Sequence, residues 1–290
     1  MKSAAVDSDP LSFRWWAYAS LIAVGLAAFW PSVWFDFVNW DDPAYVWHNN
    51  LIKSWSLSNL KGVATETVTR NYAPLTIFTL LIDHTLWGMN PCGYHATNVL
   101  LHLLNGILVL LLVRQLTGSR FAAWTTAALF LVHPVQIETV AWISSRKGLL
   151  SATFMLAALI VRLRSEPQPK HDAWFIFWLA AALLSKALAV VVPAIVLCYD
   201  VFVRRQRFSD SLVRQFVPGL MAVLLLLQTM SSQHSVMGGV RSHLDLNLLQ
   251  ILAVDEVILW KYGDAGVAGG FVCCTTRRPA EFCRRLCWRD

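Results

Sequence analysis

Charge is what this chain has least of: only 14% of its 290 residues are Asp, Glu, Lys or Arg. A soluble domain carries roughly a quarter, so a water-facing globule is excluded for most of the length. Cysteine is also scarce. Four of the six (Cys273, Cys274, Cys283 and Cys287) fall after residue 262, leaving Cys92 and Cys198 isolated. A disulfide scaffold is therefore not suggested, and the four clustered cysteines lack the paired CxxC knuckles of a zinc site. No GxGxxG or GxxxxGK[ST] loop is present, and His133 and Glu138 do not make the HExxH of a zinc protease. No metal site is expected on these grounds. Asn71-Tyr72-Ala73 lacks the Ser or Thr of a glycosylation sequon. No heptad and no 34-residue period runs through the chain. Its basic residues form no single stripe interleaved with aromatics, so nucleic acid is not an expected partner.

What is present is apolar length. Hydrophobic residues make up 56% of the chain, with a mean hydropathy of +0.50. A helix needs about 20 mostly apolar residues to cross a bilayer, and it closes its own backbone hydrogen bonds there. Residues 15–34 suffice, and they end in Trp30-Pro31 rather than in the small residues of a cleavable signal. Many of the fourteen tryptophans stand at the ends of apolar runs (Trp15, Trp16, Trp30, Trp34, Trp124, Trp142, Trp174), where amphipathic rings settle at the membrane interface. Basic residues gather at 114–120, at 162–170 and at 204–214. Short cationic loops mark the cytoplasmic side.

These anchors predict a topology. Residues 1–14 are cytoplasmic, 15–34 cross outward, and 35–93 form an external segment. Within it, 74–88 is a surface-lying helix. Residues 94–113, 121–138 and 148–164 cross in turn, with a short outer loop at 139–147. Residues 173–203 form two short spans with Lys186 at their outer turn. Residues 215–231 cross again, and 248–262 begin a further apolar segment. The fold class is all-α, a polytopic helical membrane protein.

A few ionisable groups break the pattern, and ionisable groups at membrane depth mark functional sites by default. Asp41 and Asp42 sit just past the first span, ringed by Trp40, Tyr45 and Trp47. Asp42, before Pro43, suits a helix cap, which leaves Asp41 as the better candidate base. Arg146 and Lys147 lie on the outer side. The planar guanidinium of Arg146 suits bidentate binding of a phosphate, and Lys147 reads as its solvated neighbour. Lys186 interrupts an apolar run; the alternative to function is snorkelling to the interface. Glu138 pairs with Arg146 or His133, or orients an acceptor. His95 and His102 share a helix face without a third ligand and read as core histidines.

Five motifs follow one another: WDD after the first span, NYAPLTIF, NPCGYHATNVLLHLLN, LFLVHPVQIETVAWISSRKGLL and LLSKALAVVVPAIVLCYD. In this order they resemble the transmembrane and tetratricopeptide repeat-containing glycosyltransferases. That family is related to the dolichyl-phosphate-mannose–protein O-mannosyltransferases of GT-C membrane fold. The resemblance covers about residues 12–262. It implies that Asp41 and Asp42 match the family's acidic pair, that HPVQIETV with Arg146 matches its second external motif, and that Ser185-Lys186 match its later SK turn. Many relatives have Tyr-Arg-Pro-Leu where this chain has Tyr72-Ala73-Pro74-Leu75. Many have Gly-Arg-Ala-Glu where it has Ser145-Arg146-Lys147-Gly148.

The function implied is transfer of a mannose-like hexose from a polyprenyl-phosphate donor to a protein Ser or Thr hydroxyl, on the non-cytoplasmic side and with inversion. The leaving phosphate is stable as an anion. The reaction therefore needs a base for the hydroxyl and cations for the phosphate. The expected site is Asp41 and Asp42 as catalytic residues, Arg146 and Lys186 on the donor phosphate, and His133, Glu138 and Tyr72 in support. The expected partners are the bilayer, the donor lipid and an acceptor protein, and the expected location is a bacterial inner membrane rather than the endoplasmic reticulum. Residues 263–290 depart abruptly in style after WKY and read as a shifted frame. On that reading the chain carries a truncated GT-C-like module, residues 15–262, with activity and inactivity both left open. The rival class is a non-enzymatic polytopic protein, such as a lipid-linked sugar carrier or transporter subunit. Against it, the unusual charges gather on one face, whereas a transporter places broken helices at the bilayer middle.

Overall fold

The computed structural model describes residues 13–69, 71–163 and 169–237. The segment 248–262, the tail 263–290 and most of residues 1–14 lie outside them. The described chain is all-α, with no strand among the described residues. Helix α1 (Trp15–Phe29) continues through a tight turn at Trp30–Trp34, and α2 (Leu57–Thr65) and α3 (Pro74–Trp87) follow an irregular loop. Then come α4 (Pro91–Thr117), α5 (Arg120–Val132), α6 (Gln136–Ala141), α7 (Arg146–Arg162) and α8 (Pro169–Ser185). After a break, α9 (Val192–Cys198), α10 (Phe208–Arg214) and α11 (Phe216–Met237) complete the described part.

The caps explain the boundaries. Asn90 accepts from the Cys92 N–H, Pro91 occupies the first turn of α4, and Gly118 ends that helix at φ 68°; glycine adopts this left-handed cap without a Cβ penalty. Ser119 then caps α5 by accepting from the Ala122 N–H at 3.2 Å. Helix α5 stops at Val132 because His133 precedes Pro134, and the proline ring disfavours helical backbone in the residue before it. The apolar run expected to cross at 121–138 is thus a helix, a turn and the short α6. Lys186 is extended at φ −160° and ψ 133°, which divides 173–203 into α8 and the stretch from Ala187 to Val203.

Among the described residues, three helical elements are long and apolar enough to cross a membrane: Trp15–Trp34, Pro91–Thr117 and Ile143–Arg162; the pair Phe208–Arg214 and Phe216–Ser231, bent by 54°, makes a fourth if taken as one span. More crossings were expected from hydropathy. The difference lies in the breaks at His133 and Lys186, which leave shorter apolar helices at Arg120–Val132, His171–Ser185 and Ala187–Val203. The outward faces are apolar, with Leu100, Phe121, Leu129, Phe177, Leu220 and Leu224 all exposed. A row of this kind suits lipid rather than water. Trp15, Trp16, Trp30 and Trp34 are exposed at the two ends of the first span, as interfacial rings should be.

Helix α4 is the spine. At 27 residues it is about 40 Å long, longer than a hydrocarbon core of about 30 Å. Leu21 and Phe29 of α1, Val99, Leu103 and Leu110 of α4, and Ala123, Ala127 and Leu131 of α5 form one core. Gly106 permits the approach of α5: a Cβ there would lie 2.6 Å from Leu131 Cγ. Small residues at such crossings let membrane helices pack closely. Several polar side chains of α4 are hydrogen-bonded across the bundle. Asn105 donates to the Leu149 carbonyl at 3.1 Å and accepts from Thr153 at 2.8 Å. Gln115 donates to the Ile160 carbonyl at 3.2 Å. His102 Nε2 lies 3.0 Å from the Leu131 carbonyl, and its ring packs edge-on against Phe29. His95 and His102 are fully buried, as core histidines are.

These ladders fix the direction of each helix, and two ends result. One end gathers the 35–47 loop, α3, the start of α4, residues 133–148 and Lys186. The other gathers Arg14, Arg114, Arg120, Arg162 and Arg204. There, buried Asp200 accepts from Arg162 at 2.8 Å and from Arg204 at 3.3 Å, tying the end of α7 to the stretch that follows α9.

Candidate active site

The first end of the bundle is built from a loop that the sequence folds tightly. Pro43 starts a wide helical turn, Pro43–Trp47, which buries Tyr45 and Val46. They pack with Ile52, Val63, Ile77, Leu80, Leu81, Tyr94 and Ile143 into a second core below the loop. Asp42 precedes that turn but does not cap it. One oxygen accepts from the Val38 N–H at 2.9 Å. The other accepts from the Ser144 N–H at 3.0 Å. The residue is fully buried, so Asp42 pins the loop to the turn that starts α7. Each of its oxygens is held by a backbone donor.

Asp41 faces the other way. Its carboxylate lies 3.9 Å from Lys147 Nζ, with the two side chains 28% and 18% exposed. Lys147 also donates to the Tyr45 hydroxyl at 3.4 Å and stands over that ring at 5.0 Å, and Thr69 donates to the same hydroxyl at 3.0 Å. Lys186 comes to this end from the α8 break. Its Nζ lies 4.0 Å from where a Gly148 Cβ would be. Thr76 of α3 holds the adjacent turn by donating to the Ser185 carbonyl at 3.1 Å. Burial pushes the Lys186 ammonium below its ordinary lysine value and the charge of Lys147 lowers it further, while Glu138 opposes both. Asp41, Lys147, Lys186 and Glu138 thus gather at one accessible corner.

Arg146 does not join them. Its side chain is fully buried. It ion-pairs with Asp83 of α3 through one terminal nitrogen, donates from Nε to Asn98 Oδ1 at 2.8 Å, and donates from the other terminal nitrogen to the Tyr94 carbonyl at 2.7 Å. Thr97 supplies a further hydrogen bond to Asp83 at 3.0 Å, and Asn98 in turn donates to the Trp142 carbonyl at 3.1 Å. A guanidinium enclosed this way has no face left for a phosphate. Arg146 joins α3, α4 and α7 under the site. His133 is exposed and accepts from the Val135 N–H at 3.2 Å, which shapes its own turn. Tyr72 donates to the Ala64 carbonyl at 2.9 Å, which ties the start of α3 to the end of α2. Lys147 and Tyr45 were not singled out from sequence for chemistry. Lys147 carries a weak signal, because a second cation next to a buried one at a helix start must point elsewhere. No group of His, Cys, Asp or Glu among the described residues is placed to hold a metal ion.

Comparison with known proteins bears on this geometry. No family model matches the chain, and no solved structure matches it. Curated proteins do. The chain is 29% identical over 195 residues to Protein O-mannosyl-transferase TMTC3 of Mus musculus, covering 63% of this chain and 21% of that protein. It is 33% identical over 155 residues to Protein O-mannosyl-transferase TMTC1 of Homo sapiens, covering 49% and 18%. It is 30% identical over 220 residues to Protein O-mannosyl-transferase TMTC4 of Homo sapiens, covering 65% and 29%. The aligned part thus spans between 18% and 29% of the length of these relatives. They are animal proteins, which removes the ground for expecting a bacterial inner membrane. Five motifs in family order, an all-α bundle with membrane-length helices and these likenesses agree: over the aligned part the chain is similar to the TMTC protein O-mannosyl-transferases.

Proposed function

We propose that this chain carries the reacting end of a membrane transferase that moves mannose from a polyprenyl-phosphate donor to a Ser or Thr hydroxyl of a protein, on the non-cytoplasmic side and with inversion. The observation that carries the reading is the meeting of one accessible carboxylate, Asp41, with two lysines, Lys147 and Lys186, at the end of the bundle away from the basic loops. The acceptor oxygen attacks the anomeric carbon while the bond from that carbon to the phosphate oxygen breaks. Asp41 takes the hydroxyl proton, and the electron pair leaves with the polyprenyl phosphate. Lys147 and Lys186 hold the negative charge that grows there, which is where fixed cations accelerate a reaction most. Asp42 and Arg146 position the loop and the start of α7, and Glu138 stands ready to orient the acceptor. The prenyl tail lies in lipid along the apolar helix faces. The names of the relatives support the mannosyl group and the protein acceptor.

The test is retention of a radiolabelled polyprenyl-phosphate mannose by the purified chain in detergent. Wild type retains it, and the Lys147→Met/Lys186→Met variant loses at least about tenfold, since each charge-assisted contact is worth roughly 1.5–3 kcal/mol. Equal retention by both proteins overturns the phosphate assignment.

A pH dependence follows from Lys186. Its ammonium must be charged to hold a phosphate, and burial with Lys147 nearby lowers its pKa. Donor retention is therefore full at neutral pH and declines as pH rises through a value below that of an exposed lysine. Lys186→Arg moves the decline upward, because a guanidinium keeps its proton. A titration of retention against pH for the two proteins checks this; identical alkaline limbs count against Lys186.

A further inference from the structure

Ahead of α3 the chain reverses sharply at residues 68–71. The Val68 N–H donates to the Asn71 carbonyl at 3.2 Å, and the Asn71 N–H donates to the Val68 carbonyl at 2.9 Å. Thr69 stands first inside that turn, with φ at 47°. Gly, Asn and Asp are the usual residues at such a position, because a positive φ crowds the Cβ. A β-branched residue there is strained. Strain of this kind persists where the surroundings over-determine it, and it gathers at functional sites. What threonine offers and glycine does not is a hydroxyl, and that hydroxyl is held on both sides. The Asn71 amide donates to it at 3.3 Å and to the Thr69 carbonyl at 3.0 Å. The hydroxyl itself donates to the Tyr45 oxygen at 3.0 Å. Tyr45 is fully buried. It accepts a second bond from Lys147 at 3.4 Å, and its own backbone N–H donates to the Asp41 carbonyl at 3.1 Å. One tyrosine therefore links the candidate base and one candidate cation to the strained turn.

We infer that Thr69 is a positioning residue for the transfer proposed above: its hydroxyl fixes Tyr45 and, through Tyr45, aims the Lys147 ammonium at the donor phosphate. The inference rests on the assignment of Lys147 to that phosphate. A lysine stem is flexible, and ordering it on binding costs affinity. Anchored at the Tyr45 hydroxyl and 5.0 Å from the centre of its ring, the ammonium meets the phosphate already in place, which is how a fixed cation acts best. The left-handed backbone at Thr69 is then offset by a contact that glycine cannot make.

A double-mutant cycle between positions 69 and 147 tests this, read as retention of radiolabelled polyprenyl-phosphate mannose by the full chain in detergent and as thermal unfolding of the same preparations. Thr69→Gly unfolds at the wild-type temperature or above, since relief of the strain offsets the lost hydrogen bond and the added chain entropy of glycine. It retains the donor about three- to tenfold less, the worth of one hydrogen bond. Thr69→Ser restores most of that loss, because it keeps the hydroxyl. In a Lys147→Met background Thr69→Gly lowers retention no further, since its effect runs through the missing ammonium. A turn that only supported the fold would weaken both backgrounds alike. Full retention by Thr69→Gly overturns the inference, as does a loss repeated undiminished in the Lys147→Met background. If Lys147→Met itself holds the donor like wild type, the phosphate assignment of Lys147 falls and this inference falls with it. Loss in Lys147→Met beside full retention in Thr69→Gly removes the role of Thr69 alone.

Discussion

Asp41→Asn leaves donor retention within about a factor of two of wild type and lowers mannosyl transfer by roughly a hundred- to ten-thousandfold, the range a positioned general base contributes. The substitution is close to isosteric. It removes one charge at a partly exposed position, where the ion pair to Lys147 at 3.9 Å is long and contributes little to stability. Folding is therefore spared. Releasing Lys147 from its anion favours the donor phosphate if anything. Asp42→Asn behaves differently. An amide carries only one acceptor oxygen, so one of the two backbone N–H groups held by Asp42 then faces an NH₂ group, at a cost of about 1–3 kcal/mol. The expected contrast is loss of turnover without loss of stability at 41, and loss of stability first at 42. Transfer from labelled donor to a Ser/Thr peptide, with thermal unfolding of the same preparations, measures both. Undiminished turnover in the Asp41 variant removes the base; donor retention without transfer in wild type favours a carrier instead.

The bundle was legible in the sequence because its signals are local. Apolar length, interfacial tryptophans and basic loops each report one helix end at a time, and the structure gathers Arg114, Arg120, Arg162 and Arg204 at one end of the bundle. Helix boundaries followed less well. The run at 121–138 is apolar throughout, yet Pro134 stops α5 at Val132, so composition exceeded the helix. The site was harder still. Arg146 and Lys147 are adjacent at the start of α7, and side chains one residue apart on a helix diverge by about 100°. One had to point inward and the other toward the loop, but only the position of Asp83 decides which. That aspartate, alone in PLTIFTLLIDHTLW, was the available sign that a buried cation was waiting. Its partner lies 63 residues away, a pairing no spacing rule can reach. The role of Asp42 likewise depends on Ser144, which comes close only after α4, α5 and α6 have folded between them.

The Asp83–Arg146 pair yields the largest expected change in stability. The two groups are buried and ion-paired, and three further hydrogen bonds satisfy what remains of them. Removing one partner strands the other charge. Asp83→Leu therefore destabilises the bundle by about 3–5 kcal/mol, and Arg146→Met does the same. Replacing both together costs far less, because a buried pair exchanged for apolar side chains of similar volume is often neutral or better. A double-mutant cycle on unfolding in detergent reads this as a strong favourable coupling, and additive single effects count against the pairing. Donor retention adds an independent readout. If Arg146 works only beneath the site, the double variant regains stability and donor retention together, since Lys147, Lys186 and Asp41 keep their places. A double variant that is stable yet fails to hold the donor returns Arg146 to the phosphate, where its motif first placed it, and requires that its cage with Asp83, Asn98 and Tyr94 open during the catalytic cycle.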